Sequence, residues 1–324
     1  AYFESLGKFC VPWFASRPVN KAVPPMGFSE HHFLTPDGLS LYYRNYGSGG
    51  DVVVCLPGLT RNSKDFHEIA THLASRYRVL CPDMRGRGQS DWDSDWQNYH
   101  PATYINDTWN LLDHLGIEKF IILGTSLGGL MAMIMASQQA ERVRALILND
   151  VGPEADPAGY ARILASVDGE VELREWPDAI QHCKQSYQMA LPDMPDEFWQ
   201  AYVHKIFRKD ANGRPEFESD PNIAEAIRKG DLSRIAGIQV DPWAAFEAVT
   251  MPCLVLRGEL SDILSAEIVG RMTTVKPDLV TVVIPSRGHA PLLYESESLS
   301  AIDSFLADAC RLVNDQASQC DRNR

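Results

Sequence analysis

The chain has 324 residues, of which 45% are hydrophobic and 23% charged, and its formal net charge at pH 7 is −13. This composition is ordinary for a globular protein, and the length fits an α/β enzyme built from one domain and an insertion. The negative charge disfavours contact with nucleic-acid phosphates and anionic lipid headgroups. The sequence also has no apolar run long enough to span a bilayer, so neither nucleic acid nor membrane is an expected partner.

The cysteines and the first residues of the sequence give only weak constraints. The seven cysteines include no Cys-x-x-Cys pair, so neither a disulfide framework nor a zinc site is predicted. Residues 1–25 lack the features of a secretory signal, and residues 1–27 are predicted to be an N-terminal extension of a cytoplasmic protein. The oligomeric state stays open, a homo-oligomer included.

In chain order, the first half alternates between strand-like and helix-like segments. A strand–turn–strand pattern covers 33–46, and a continuous apolar run follows at Val52–Leu56. Further strands are predicted at 77–81, 120–123 and 145–148, with helices at 65–75, 101–115 and 127–139. Apolar runs of this kind, separated by helices, are typical of a parallel sheet that is covered on both faces.

The alternation is interrupted between residues 152 and 243. This block predicts mainly helices, at 158–167, 177–189, 195–207 and 222–229, and no convincing strand. Alternation then resumes with a strand at 253–256, a helix at 266–272, a strand at 279–284 and a helix at 298–310. We therefore predict an α/β core formed by 28–151 and 244–310, a helical cap at 152–243, and a C-terminal tail at 311–324.

The segment Gly-Thr-Ser-Leu-Gly at 124–128 matches the pattern G-x-S-x-G. It follows a predicted strand and begins a predicted helix, which is the context that a nucleophile elbow requires. A serine on such a sharp turn exposes its Oγ, and the small flanking residues avoid a clash. The helix N-terminus directs free N–H groups and a positive dipole end towards the reacting atom. Ser126 is therefore the candidate nucleophile.

With this motif and this order of elements, the chain resembles the α/β-hydrolase fold family over residues 28–309. The resemblance implies a mostly parallel, doubly wound sheet with a helical cap. In the family the catalytic histidine lies in the loop after the last strand, where this chain has Ser-Arg-Gly-His-Ala at 286–290, so His289 is the candidate base. Epoxide hydrolases and haloalkane dehalogenases of this fold have an aspartate at the elbow, so Ser126 favours acyl transfer to water.

The acid that orients His289 has two candidates. Asp262 follows the strand at 253–256, and the resulting order Ser126, Asp262, His289 is the order expected for this fold. Asp150 follows the strand at 145–148, where some relatives place their acid, and otherwise it is a loop-capping carboxylate. We predict Asp262 as the acid, with Asp150 as the alternative.

An oxyanion hole needs two backbone donors. The N–H of Leu127, the residue after the nucleophile, supplies one, and the resemblance implies that the N–H of Leu59 supplies the other. Leu59 lies in Pro-Gly-Leu-Thr at 57–60, where many relatives have His-Gly, a departure that bears on how the loop is braced. The following residues, 60–62, either contact the substrate or form a solvated loop.

A second segment, 83–90, resembles the family's D-x-R-G-x-G-x-S loop. In relatives this loop is mostly structural, because its turn glycines and charge pairs hold the carboxyl edge of the sheet. Asp83, Arg85 and Arg87 are accordingly predicted to be scaffold residues.

These residues predict a serine hydrolase that cleaves a carboxylic ester or a lactone of a small, largely apolar substrate through an acyl-enzyme. The same triad could cleave a diketone carbon–carbon bond, a thioester or an amide, and a non-catalytic ligand receptor is a further alternative. No cofactor or metal is expected, since the sequence has neither a metal cluster nor a dinucleotide fingerprint. Aromatic residues of the cap indicate an apolar ligand unless they only pack the cap helices: Tyr160, Trp176, Tyr187, Phe198, Trp199, Tyr202 and Phe207.

Overall fold

The computed structural model of the chain describes residues 27–168, 171–229 and 241–322. The predicted extension at 1–27 lies, apart from Gly27, outside the described residues. Within these ranges, no helix is both long and apolar enough to cross a bilayer.

A twisted central sheet and a small hairpin contain the strands of the described residues. In chain order they are β1 (Phe28–Leu34), β2 (Ser40–Tyr46), β3 (Val52–Leu56), β4 (Arg78–Pro82), β5 (Phe120–Thr125), β6 (Val143–Asn149), β7 (Phe207–Lys209), β8 (Pro215–Phe217), β9 (Cys253–Gly258) and β10 (Val280–Ile284). The central sheet has the order β1-β2-β4-β3-β5-β6-β9-β10, and β7 pairs with β8.

The central sheet is parallel from β4 to β10, and β2 is antiparallel to both of its neighbours. The strands in the middle are the continuous apolar runs of the sequence, and residues 53–56 of β3 are fully buried. Such runs suit strands that are covered on both faces, since every side chain then packs against a helix. The predicted mostly parallel, doubly wound sheet is confirmed.

Helices cover both faces of this sheet and also form the block between β6 and β9. They are α1 (His67–Leu73), α2 (Pro101–His114), α3 (Leu127–Gln138), α4 (Pro157–Asp168), α5 (Trp176–Tyr187), α6 (Asp196–Tyr202), α7 (Asn222–Lys229), α8 (Pro242–Glu247), α9 (Ala266–Val275) and α10 (Ser296–Arg322). One apolar cluster joins the sheet to α2, α3, α8 and α9, and a second joins its other face to α1 and α10.

The block between β6 and β9 differs from the prediction in two places, a hairpin and a short helix. The antiparallel hairpin β7–β8 lies where no strand was expected. It begins at the last residue of the helix predicted at 195–207, of which α6 forms only the first part. Strands of three residues are too short to show an alternating pattern, which explains the omission. The short helix α8, at the end of the block, was not predicted either. After β10, the helix α10 runs into the segment expected to be a tail.

The loop at 83–90 braces the carboxyl edge of the sheet through buried charges. Arg85, whose side chain is 2% exposed, makes a bidentate pair with Asp107 at 2.7 Å and also contacts Asp93 at 2.7 Å and Asp37 at 2.9 Å. The carboxylate of Asp83 accepts the backbone N–H groups of residues 63 and 89. These contacts agree with the scaffold role expected for the loop.

Replacing Arg85 by methionine is expected to lower the free energy of unfolding by about 3–5 kcal/mol, because it leaves buried carboxylates without their cation. Urea unfolding of Arg85→Met and wild type measures this change. Arg208→Met is the matched control, since Arg208 and its partner Glu216 are 38% and 43% exposed and exposed pairs contribute about 1 kcal/mol or less. Equal losses in the two variants would contradict a bracing role for the Arg85 cluster.

Candidate active site

Ser126 lies on a sharp turn between β5 and α3, as the motif predicts. Its backbone has φ 53° and ψ −119°, a conformation that a residue other than glycine rarely adopts. The turn is possible because helix α3 passes very close to the end of β3. A side chain on Gly128 would overlap the carbonyl oxygen of Leu56, and one on Gly124 would overlap the backbone of Gly128. The glycines of the motif therefore permit the turn that presents the serine hydroxyl.

A chain of hydrogen bonds connects Ser126 to a buried carboxylate through His289. The Oγ of Ser126 lies 2.9 Å from Nε2 of His289, and Nδ1 of His289 lies 2.8 Å from Oδ2 of Asp150. Because a carboxylate only accepts, Nδ1 carries the proton that is donated to Asp150. In the neutral imidazole Nε2 is then the acceptor, so it is placed to take the proton from the serine hydroxyl.

Three donors hold the carboxylate of Asp150 in a fully buried position. Besides His289, the backbone N–H of Gly258 donates to Oδ1 at 2.8 Å and the hydroxyl of Ser261 donates to Oδ2 at 2.6 Å. The hydroxyl oxygen of Ser261 in turn accepts the backbone N–H of Leu264 at 3.0 Å. The acid is thus fixed from β9 and the loop that follows it, although the residue itself follows β6.

Asp262, the predicted acid, has a different partner. Its two carboxylate oxygens accept from Nε and Nη2 of Arg162, on α4, at 2.5 and 2.8 Å. The hydrogen bond from Arg162 is the main reason that the pKa of Asp262 lies below its usual value. The structure therefore corrects the prediction: Asp150, the alternative, meets His289. The loop after β9 directs the side chain of Asp262 towards Arg162 on α4, and both partners of this pair are 40% exposed.

Both predicted oxyanion donors belong to segments that adjoin Ser126: Leu127 follows it in the chain, and a β-carbon on Gly58, the residue before Leu59, would lie 3.8 Å from Cβ of Ser126. Leu127 is the first residue of α3, and the first N–H groups of a helix have no partner within it. Leu59 belongs to the loop after β3, and its carbonyl oxygen accepts from Nε and Nη2 of the buried Arg87 at 2.9 and 2.7 Å. Arg87 thus braces the loop in which this chain departs from the His-Gly of many relatives.

Two supporting residues of the site were missed by the sequence analysis. The first is Ser261, which precedes Asp262 in the chain. The second is Asn149, whose side-chain amide donates to the hydroxyl of Thr125 at 3.1 Å and to the carbonyl of Pro291, two residues after His289, at 2.9 Å. Asn149 ends β6 directly before Asp150, so a polar pair at a strand end was the available signal. Asn62 was expected to contact substrate or solvent. Its side-chain amide instead donates to the carbonyl of Lys205 and to the carboxylate of Glu218, both in the block between β6 and β9.

Most of the large cap aromatics pack against one another. Trp199, Tyr202 and Phe207 are buried in a cluster formed, apart from Leu292, by residues between β6 and β9. They favour the packing interpretation over a ligand-binding one. As to metals, no set of three or more His, Cys, Asp or Glu side chains in 27–168, 171–229 or 241–322 is placed to hold an ion.

Comparisons with known proteins agree with this architecture. A family model described as the alpha/beta hydrolase fold matches residues 51–296. The chain is 33% identical over 295 residues to a 3-hydroxybutyrate-oligomer hydrolase of Cupriavidus necator, covering 89% of this chain and 99% of the relative. It is 26% identical over 270 residues to a 2-(acetamidomethylene)succinate hydrolase of Mesorhizobium japonicum, covering 83% and 92%.

Comparison with solved structures also identifies an alpha/beta hydrolase as similar. The crystal structure of an alpha/beta hydrolase from Novosphingobium aromaticivorans matches with a TM-score of 0.81 and 42% sequence identity, covering 87% of this chain and 98% of that one. The elbow at Ser126, the sheet order and these matches agree, and the chain belongs to the α/β-hydrolase fold family.

Proposed function

We propose that the protein is a serine esterase that hydrolyses a carboxylic ester or lactone through an acyl-enzyme at Ser126. The observation that carries the proposal is the hydrogen-bond chain from Ser126 through His289 to Asp150. A serine is a weak nucleophile on its own and needs an adjacent base, which in turn needs a group that orients it. The arrangement meets both requirements.

In the proposed reaction, His289 takes the hydroxyl proton as the Oγ of Ser126 attacks the ester carbonyl. The N–H groups of Leu59 and Leu127 bind the oxyanion of the tetrahedral intermediate. His289 then returns the proton to the leaving alcohol, and the acyl group stays on Ser126 until water attacks with His289 again as the base. Asp150 stabilises the imidazolium that forms in each half of the reaction.

The hydrolase fold implies a small-molecule substrate, and the name of one relative supports a particular chemical class of substrate. The Cupriavidus relative is named for 3-hydroxybutyrate oligomers, whose units are joined by ester bonds. This supports an ester of a hydroxy acid as the substrate. A cytoplasmic location stays a prediction from the sequence, and the oligomeric state stays open, a homo-oligomer included.

Covalent trapping tests the proposal. A fluorophosphonate is expected to label Ser126 at one equivalent per chain, because a phosphonylated serine mimics the tetrahedral intermediate. Peptide mass spectrometry locates the label, and p-nitrophenyl butyrate hydrolysis should fall in parallel with labelling. Ser261, which also lies at the site, should stay unlabelled. Full labelling with unchanged hydrolysis would contradict the mechanism, and a wild type that neither reacts nor turns over any ester would favour a receptor.

A further inference from the structure

Arg61 lies beside the candidate nucleophile, on the loop that also carries Leu59. Its backbone N–H donates to the carbonyl of Gly58 at 3.1 Å, which closes a turn. A β-carbon built on Gly58 would lie 3.4 Å from Cγ of Arg61 and 3.8 Å from Cβ of Ser126. Cγ of Arg61 and Cβ of Ser126 therefore both lie next to Gly58, close to each other.

The guanidinium group of Arg61 is covered by the cap. Its central carbon lies 5.6 Å from the ring centre of Tyr187 and 5.2 Å from that of Tyr202, and the side chain is 11% exposed. Asp65 accepts from Nε and Nη2 at 2.7 and 2.5 Å, so it occupies one edge of the guanidinium. A charge in this setting is weakly solvated and interacts strongly with any anion that reaches it.

The second edge of the guanidinium, formed by Nη1 and Nη2, keeps binding capacity. Nη1 has a long contact of 3.5 Å with the hydroxyl of Tyr187. A guanidinium carries five N–H donors, and Asp65 needs two of them. The contacts with the two tyrosine rings and with Asp65 already hold Arg61 against the cap, so a purely structural role does not need the second edge of the guanidinium. The remaining edge has the planar fork geometry that matches a carboxylate.

We infer that Arg61 binds a carboxylate of the substrate, so that the substrate is an ester with a free carboxylate near its scissile bond. This inference rests on the proposed esterase function and specifies its substrate class. Asp65 orients the guanidinium, and Tyr187 lies at the edge that the substrate approaches. Arg61 is then a specificity-determining residue that binds the substrate away from the reacting atoms.

Two p-nitrophenyl esters of similar length test the inference: the butyrate ester, which is neutral, and the succinate monoester, which ends in a carboxylate. Arg61→Met is expected to lower kcat/KM for the succinate ester by about 10- to 100-fold, since hydrogen bonds to charged groups contribute to that extent. Arg61→Lys should lose less, and the butyrate ester, which offers the guanidinium no carboxylate, should lose much less than the succinate ester in both variants. Arg208→Met, which removes an exposed arginine of the cap hairpin, is the control and should affect neither ester.

The outcomes separate this inference from the proposed function. Equal losses on both esters in Arg61→Met, or a wild type with no preference for the succinate ester, overturn the carboxylate site while leaving the esterase intact. Binding of butyrate, with butyramide as its neutral match, is measured by calorimetry and does not depend on turnover. Wild type should bind butyrate and Arg61→Met should lose this binding, and a wild type that does not discriminate the two ligands overturns the inference even if no ester is hydrolysed.

Discussion

Ser126→Ala is expected to lower kcat for p-nitrophenyl butyrate by about 10⁶-fold, the loss that follows removal of the nucleophile from a serine triad. The reason is geometric as well as chemical. His289 keeps its place against Asp150, at 2.8 Å, but without Oγ no acyl-enzyme can form, and only direct attack of water on the ester is left. Steady-state assays at high enzyme concentration measure the residual rate, and fluorophosphonate labelling should disappear.

Ser137→Ala is the matched control for this variant. Ser137 lies on the same helix α3 and its hydroxyl donates to the carbonyl of Ile134 at 2.8 Å, so its loss removes a hydroxyl without touching the site. Activity of Ser137→Ala should stay within about threefold of wild type. Ester hydrolysis in Ser126→Ala within about 100-fold of wild type would mean that another group carries the chemistry.

The sheet and the elbow were predictable because local signals and the fold agree in this part of the chain. The apolar run Val52–Leu56 is β3 with the same bounds, and the motif at 124–128 gives the turn from β5 into α3. Short elements were not predictable in the same way. The strands of the hairpin β7–β8 depend on pairing with each other, which no periodicity in three residues can reveal.

The choice between two acids was a question of tertiary structure. β6 and β9 are neighbours in the sheet, so an aspartate after either strand arrives at the same edge. Which of them meets His289 depends on loop paths: Asp150 has φ 55° and is buried, whereas the loop after β9 carries Asp262 to Arg162 on α4. Sequence order favoured Asp262, and two contacts between segments distant in the chain decide against it: that of Asp150 with His289 and that of Asp262 with Arg162.

Asp150→Asn is expected to lower kcat by about 10⁴-fold with little change in KM, by the mechanism known for serine triads. The amide donates where the carboxylate accepts, so it favours the tautomer of His289 that carries its proton on Nε2 and cannot take one from Ser126. The N–H of Gly258 still donates to Oδ1 of the side chain, whereas the hydroxyl of Ser261, which in the wild type donates to the same Oδ2 as His289, must turn to accept from the amide. The loss should therefore appear in the chemical step, and circular dichroism should show an unchanged fold.

Asp262→Asn is the matched comparison, since it makes the same change in the carboxylate that follows the neighbouring strand. An ion pair with both partners 40% exposed contributes about 1 kcal/mol or less, so kcat should change less than about fivefold. Measured together, the two variants report which strand end orients the histidine, because neither removes the nucleophile or the base. A larger loss in Asp262→Asn than in Asp150→Asn would mean that the histidine leaves Asp150 during turnover, and that the loop after β9 supplies the working acid.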